Sequence, residues 1–138
     1  MLEFAGLPPL KVPTLPLGLH LAQKLHTYTR NYSGGRSSSR VKDLIDLVLI
    51  RSAAEFTAQE INDALTITFQ TRGTHDLPPS VPHPPESWIA PYRSIALQIG
   101  LEPNVATGHQ HVAEFLDPIL AGSVAPDQIW NPHDSRWI

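Results

Sequence analysis

The chain has 138 residues, of which 41% are hydrophobic, and this length and composition fit one folded domain and exclude wholesale disorder. It contains no cysteine, which excludes disulfides and thiolate metal sites, and no apolar run approaches the roughly 18 residues that span a bilayer. Because residues 1–6 also lack the pattern of a secretory signal, the sequence predicts a cytoplasmic protein with no membrane partner.

The charge is unevenly distributed. The net charge is −3, yet residues 24–51 hold six of the ten basic residues and two of the thirteen acidic ones. This basic island therefore carries +4, whereas the rest of the chain carries −7. A compact protein usually presents such an island to an anion, although a solvated helix face gives the same pattern.

The first third of the chain predicts a short extended segment and two helices. Four prolines in residues 1–16 remove backbone donors and favour an extended, edge-like segment. Apolar residues at helical spacing predict a first helix over residues 17–30, followed by a Gly/Ser-rich loop over residues 31–39. Ser39 then offers an N-cap for a second helix over residues 40–54, whose broad apolar stripe should be buried.

A third helix is marked at both ends. Thr57 and Glu60 have the spacing of a capping box, and Gly73 is a suitable stop just after Arg72. Residues 74–86 contain five of the fourteen prolines, which predicts an extended connector within the domain.

The last part of the chain predicts two more helices and a docked tail. The fourth helix should cover residues 86–99 with a break near Pro91, and the fifth residues 107–121 with a kink at Pro118. Trp130 and Trp137 in the tail are expected to dock onto the helices. The fold class is therefore mainly α: a single domain over residues 1–138 with a bundle of about five helices after a short extended segment.

Side chains with useful chemistry occur on the first two helices. Lys24 lies one turn from His20, and Asp43 lies one turn from Asp46. If the two helices pack antiparallel, the lysine and the carboxylates can converge. A lysine suits a triphosphate, while a carboxylate can orient that lysine, accept a proton from a hydroxyl or help to hold magnesium. Ordinary surface ion pairs give the same spacing, so both interpretations stay open at this point.

Two longer strings extend this pattern, HLAQKLHTYTR over residues 20–30 and SRVKDLIDL over residues 39–47. They resemble the paired C-terminal motifs of the AbiEii/AbiGii-type nucleotidyltransferases, which are the toxins of bacterial toxin–antitoxin pairs. The family patterns are H-x-x-x-K-L-H-A and R-x-K-D-x-x-D-L, and Thr27 stands here in place of the alanine. The similarity extends from about Phe4 to Trp137 and is most specific in the first fifty residues.

The resemblance implies the C-terminal half of an α/β nucleotidyltransferase-like fold. Its reaction would transfer a nucleotide from an NTP, with Mg²⁺, to an acceptor, which is tRNA for some members of the family. A cognate antitoxin is the protein partner that the resemblance implies.

The resemblance also implies roles for individual residues. Lys24 would contact the triphosphate, and Asp43 or Asp46 would be the acidic residue of the last motif, so these three are the catalytic candidates. Arg40 and Lys42 would support the phosphates or a nucleic-acid backbone. Two other arginines of the basic island are candidate RNA contacts: Arg30 and Arg36.

Part of the family pattern is missing from the sequence. Such transferases hold two magnesium ions through a Gly-Ser turn followed by a D-x-D pair on an N-terminal sheet. No D-x-D pair occurs in the 138 residues, and no acidic pair follows Gly122-Ser123. We therefore expect a chain that lacks the metal-binding half at its N-terminus, has no metal site, binds no cofactor tightly and is inactive alone.

Two further expectations follow from a missing half. The alternative to a transferase is a non-catalytic helical interaction module that binds RNA, an antitoxin or the missing half. Apolar residues that the missing half would cover, such as Leu10 and Val12, predict self-association through an exposed apolar surface.

Overall fold

The computed structural model describes residues 14–30, 37–73 and 75–138. Within these ranges the chain forms five α-helices, a one-turn 3-10 helix at Glu86–Trp88 and three very short strands. The helices are α1 (Thr14–Thr29), α2 (Ser37–Ala53), α3 (Ala58–Arg72), α4 (Ile89–Gln98) and α5 (Val105–Leu120). The strands are β1 (Phe56–Thr57), β2 (Ile129–Asn131) and β3 (Arg136–Trp137). The prediction of a mainly α fold with about five helices is confirmed.

Helix α2 lies at the centre of the fold. It packs against α1, α4 and α5, while α1 also packs against α3. This central position explains why α2 is apolar around most of its circumference: buried residues such as Val41, Leu44, Leu47 and Ile50 face different neighbours. The predicted burial of this helix is confirmed.

The first two helices begin earlier than the sequence pattern indicated. Helix α1 starts at Thr14, so the predicted extended conformation is wrong for residues 14–16, and the rest of that segment lies outside the described residues. Pro16 is tolerated because the first turn of a helix has no partners for its backbone N–H groups. Helix α2 starts at Ser37 and includes three serines in its first turn, so the prediction of Ser39 as N-cap is wrong.

The ends of α3 agree with the sequence. The Thr57 hydroxyl accepts a hydrogen bond from the backbone N–H of Glu60 at 3.1 Å, and the Glu60 carboxylate accepts one from the backbone N–H of Thr57 at 3.0 Å. Gly73 adopts φ 61°, a left-handed conformation that favours glycine, and donates its N–H to the carbonyl of Phe69. The capping box and the glycine stop are both confirmed.

The proline-rich connector crosses the surface of the helices as an extended strap. Residues 75–85 contain no helix or strand, as an extended connector requires, whereas Glu86, the last residue of the predicted connector, begins the 3-10 helix. Its centre is anchored at Val81, whose backbone N–H donates to the Asp117 carboxylate at 2.7 Å and whose carbonyl is bonded to the His109 ring at 3.0 Å. Tyr28 donates its hydroxyl to the carbonyl of Pro82 at 2.6 Å and so ties the strap to α1.

The fourth and fifth helices differ from the prediction at their starts. Helix α4 follows the 3-10 turn without a break at Pro91, because this proline lies in its first turn. Helix α5 starts at Val105, two residues before the predicted position, because the Asn104 side chain caps it by accepting the N–H of Ala106 at 2.9 Å.

The tail pairs with β1 in a three-stranded antiparallel sheet that the sequence did not reveal. Strand β2 pairs with β1 and β3, which places Trp130 opposite both Phe56 and Trp137. The expected docking is confirmed: Trp130 is fully buried and donates its indole N–H to the carbonyl of Arg51 at 2.7 Å, while Trp137 donates to the carbonyl of Phe115 at 2.9 Å. Strands of two or three residues are too short to show an alternating pattern.

Candidate functional site

The lysine of the first helix meets both aspartates of the second. The Lys24 Nζ atom lies 2.8 Å from Asp46 Oδ2 and 3.5 Å from Asp43 Oδ1. The Thr27 hydroxyl, one turn further along α1, also lies within hydrogen-bonding reach of Asp43, and it donates as well to the carbonyls of Gln23 and Lys24. Positions later in α1 therefore meet positions earlier in α2, so the two helices run antiparallel, and the convergence that the spacing allowed is present.

The two carboxylates of this cluster have different surroundings. The Asp43 side chain is 11% exposed, whereas that of Asp46 is 38% exposed. Burial raises the pKa of Asp43, an effect that the hydrogen bond from Thr27 and the charge of Lys24 oppose. The hydrogen bond to Asp46 raises the pKa of Lys24 above its ordinary value, so the ammonium is charged at neutral pH. The cluster is thus a fixed cation between one enclosed and one accessible carboxylate.

An open depression of about 340 Å³ lies beside this cluster. The residues that line it come from α1, α2 and the end of α3: His20, Gln23, Lys24, Thr27, Arg40, Asp43 and Arg72. Three of these side chains are cations and one is a carboxylate that is already bonded to Lys24. The depression therefore has an excess of positive charge and suits an anion with several oxygens, such as a phosphate chain.

Arg72 is a site residue that the sequence did not indicate. It lies in the last turn of α3, and the packing of α3 against α1 brings it to the depression. Local spacing in the sequence does not show how α3 packs against α1, so it does not show that Arg72 lies here. A basic residue in the last turn of a helix was the one available signal, and such residues are common because they favour the helix dipole.

The other predicted contacts lie in different places. Lys42 is exposed and is not among the described residues that line the depression. Arg30 is half-buried at the end of α1, also outside that lining, and Arg36 lies outside the described residues. Arg51, the last cation of the basic island, is buried and donates to the Ser135 hydroxyl at 2.7 Å, so it holds the tail and not a ligand.

A histidine lies directly behind the depression. His26 is fully buried on α1, and its ring packs 5.0 Å from that of Phe69 and 4.6 Å from that of His75. Burial lowers the pKa of His26, and the positive charges of Arg72 and Arg30 and the neighbouring His75 lower it further. His26 is therefore neutral at pH 7 and joins α1 to the end of α3 without adding charge to the site.

The described residues fit phosphate better than magnesium. None of their His, Asp and Glu side chains form a group of three or more that could hold a metal ion. Both Asp43 and Asp46 are bonded to Lys24, and the depression beside them is lined by further cations. Magnesium needs several oxygen ligands around it, which this part of the molecule does not provide.

The comparison with known proteins agrees with the motifs on α1 and α2. The family model described as "Nucleotidyl transferase AbiEii toxin, Type IV TA system" matches residues 1–127, which include every residue that lines the depression. Comparison with curated proteins and with solved structures gave no match. The resemblance found in the sequence is thus confirmed, and the chain belongs to the AbiEii family of nucleotidyl transferase toxins of type IV toxin–antitoxin systems.

Proposed function

We propose that this chain provides the triphosphate-binding side of a cytoplasmic toxin that transfers a nucleotide from an NTP to an acceptor such as tRNA. Membership of the AbiEii family supports the class of reaction. The observation that carries the assignment of the site is the Lys24 ammonium, held 2.8 Å from Asp46 at the edge of a depression that also contains Arg40 and Arg72.

The geometry suits a triphosphate in three respects. An ammonium has three donors, and the carboxylates of Asp43 and Asp46 take two of them, which leaves one for a phosphate oxygen. Arg72 offers a planar guanidinium group that can bind two phosphate oxygens, and Arg40 adds a second positive charge to the lining. Because the lysine is already held in place, less side-chain freedom is lost when a phosphate binds.

The different exposure of the two carboxylates supports different roles. Asp46 is accessible, so it is the candidate to accept the proton of an attacking hydroxyl group. Asp43 is enclosed and bonded to Lys24 and Thr27, so it positions the lysine. Both assignments concern side chains of this chain alone and involve no metal ion.

The transfer reaction requires groups that the described site does not include. Magnesium would neutralise charge on the triphosphate, but the described residues do not fit it and the 138 residues contain no D-x-D pair. We therefore propose that a separate metal-binding half completes the enzyme, and that the 138-residue chain alone does not incorporate labelled NTP into tRNA. Incorporation that disappears in Lys24→Ala would show that this chain needs no such half.

Three further cations of the basic island are proposed to contact the acceptor. Lys42 is exposed on α2 and Arg30 is partly exposed at the end of α1. Together with Arg36 they could follow the phosphate backbone of an RNA whose end enters the depression.

Nucleotide binding tests the phosphate site directly. We expect the chain to bind ATP weakly in isothermal titration, with an affinity that decreases as salt is added. The combined change Lys24→Ala and Arg40→Ala should abolish binding, because it removes two of the three cations that line the depression among the described residues. Arg93→Ala and Arg136→Ala, both exposed cations away from the depression, are the matched control and should bind as the original chain does.

Two results of this experiment would contradict the proposal. Equal ATP affinity in the double variant and the original chain would mean that the nucleotide binds elsewhere. Binding that is indifferent to salt would mean that charge does not direct it.

A second function is favoured by exposed apolar side chains on the same two helices. Leu19 on α1 is 39% exposed and Leu49 on α2 is 41% exposed. We propose that these helices contact another protein: the cognate antitoxin that the family implies, the metal-binding half, or a second copy of this chain. Light scattering should show a mass that increases with concentration, and this increase should be smaller in Leu19→Ser/Leu49→Ser; a constant monomer mass contradicts self-association.

The described residues include no helix that is both long enough and apolar enough to cross a membrane.

A further inference from the structure

A second depression lies at the C-terminal end of α3. It has a volume of about 540 Å³. Its lining residues come from α3 and the start of the connector: Thr66, Phe69, Gln70, Gly73, His75, Asp76 and Leu77. Gln70 and Asp76 are exposed at its rim, whereas Phe69 is 5% exposed and forms part of its wall. This volume is within the usual range for small-molecule pockets, roughly 300–1,000 Å³.

The second depression adjoins the first. Arg72 lines the phosphate-binding depression, and the next residue, Gly73, lines the second. His26 lies between the two depressions. Its neighbour in sequence, Thr27, lines the first depression, and its ring contacts Phe69 and His75 of the second. One elongated ligand can therefore reach both sites around the end of α3.

We infer that the second depression binds the base and ribose of a nucleotide whose phosphates lie against Lys24, Arg40 and Arg72. This inference rests on the proposed function, because it assumes that the first depression is the phosphate site. The nucleoside would be the uncharged end of the same NTP.

The side chains of the second depression suit a nucleobase. The rings of His75 and Phe69 meet at 5.3 Å and offer an aromatic wall for the face of a base. The His75 ring is held by a 2.7 Å hydrogen bond with the Thr29 hydroxyl, which fixes its orientation. The Gln70 amide can both donate to and accept from the edge of a base, whereas an ionised Asp76 accepts only.

This arrangement of donors and acceptors implies a preference among bases. A carboxylate at the rim favours a base with an exocyclic amino group, which adenine, guanine and cytosine have and uracil lacks. The substrate class is therefore an amino-bearing nucleoside triphosphate. Asp76 is the specificity-determining residue, and Gln70 is a second contact to the base.

Isothermal titration with ATP, UTP and inorganic tripolyphosphate tests the inference on the full 138-residue chain. ATP should bind more tightly than both UTP and tripolyphosphate. Gln70→Ala and Asp76→Asn should each weaken ATP binding by about 3- to 10-fold, which corresponds to one hydrogen bond, and should leave tripolyphosphate binding unchanged. The matched control is Gln98→Ala, an exposed amide on α4 that lies outside both depressions, and it should bind all three ligands as the original chain does.

The outcomes distinguish a failure of the nucleoside site from a failure of the phosphate site. If tripolyphosphate binds as tightly as ATP and both variants bind ATP normally, the phosphate site stands and the nucleoside site is overturned. If neither ATP nor tripolyphosphate binds, the phosphate site fails and the inference fails with it. Equal binding of ATP and UTP, together with normal binding in Asp76→Asn, overturns the assignment of Asp76.

Discussion

Replacing Lys24 with methionine tests whether the ion cluster is present in solution. The contact between Lys24 and Asp46 joins groups that are 28% and 38% exposed, so solvent screens it and it contributes about 0–1 kcal/mol. Asp43 is more enclosed, with an 11% exposed side chain, and the loss of a partner for such a group costs about 1–3 kcal/mol. Because the hydrogen bond from Thr27 remains, we expect Lys24→Met to reduce the free energy of unfolding by about 1–3 kcal/mol at pH 7.5.

Urea unfolding, followed by the fluorescence of the buried Trp130, measures this loss and can be extended to a double-mutant cycle. Asp43→Asn removes the negative charge that Lys24 balances, so Lys24→Met should cost less in that background. We expect a coupling free energy of about 1 kcal/mol between the two positions. Additive effects, within about 0.5 kcal/mol, would refute the contact between Lys24 and Asp43.

The same variant has a predictable pH dependence. Burial already raises the pKa of Asp43, and removal of the opposing Lys24 charge should raise it further. An acid with a raised pKa in the folded state costs stability above that pKa, and this cost decreases as the pH falls and the group is protonated. The difference between Lys24→Met and the original chain should therefore become smaller from pH 7.5 to pH 5; an unchanged difference contradicts the role assigned to burial.

Three further predictions concern stability. A Cβ atom on Gly108 would overlap the Tyr92 hydroxyl, so Gly108→Ala should lower the melting temperature. An unchanged melting temperature in thermal melts would contradict this packing. The pKa of His26 is lowered in the folded state, so the stability that it contributes above pH 6.5 is lost as the pH falls through the lowered pKa. The urea midpoint of the original chain should therefore drop more between pH 7 and pH 5 than that of His26→Gln. Equal drops in the two proteins would contradict this. Thr57→Ala should cost about 1 kcal/mol in the same urea assay and Thr57→Ser much less, and equal costs would argue against the capping box.

The helices could be predicted because each has an apolar stripe with a distinct period. Their starts could not, because a first turn accepts residues that end a helix elsewhere. Pro16 is typical of a helix break and serine of an N-cap. In this structure Pro16 and the serines lie in the first turns of α1 and α2, where the backbone N–H groups have no partner within the helix. The capping box at Thr57 and the stop at Gly73 were readable since each is a specific local geometry with its own residue preference.

The candidate site was predictable only where it depends on two helices that follow each other in the sequence. Lys24, Asp43 and Asp46 meet because α1 and α2 are adjacent in sequence and antiparallel. Arg72 and the His26–Phe69 contact depend on how α3 packs against α1, which no local spacing records. The same limit explains the unpredicted pairing between β1 and β2, because about half of the chain separates the two strands.

The position of a bound nucleotide shows whether the depression beside Lys24 is a phosphate site. Backbone amide shifts of the ¹⁵N-labelled chain, recorded during a titration with ATP, locate the ligand without a substitution. We expect the largest shifts at residues 20–27, residues 40–46 and Arg72, which surround the phosphate-binding depression. Shifts that cluster instead on the connector and α5 around His83 and His109, with the signals near Lys24 unchanged, would mean that the nucleotide binds elsewhere.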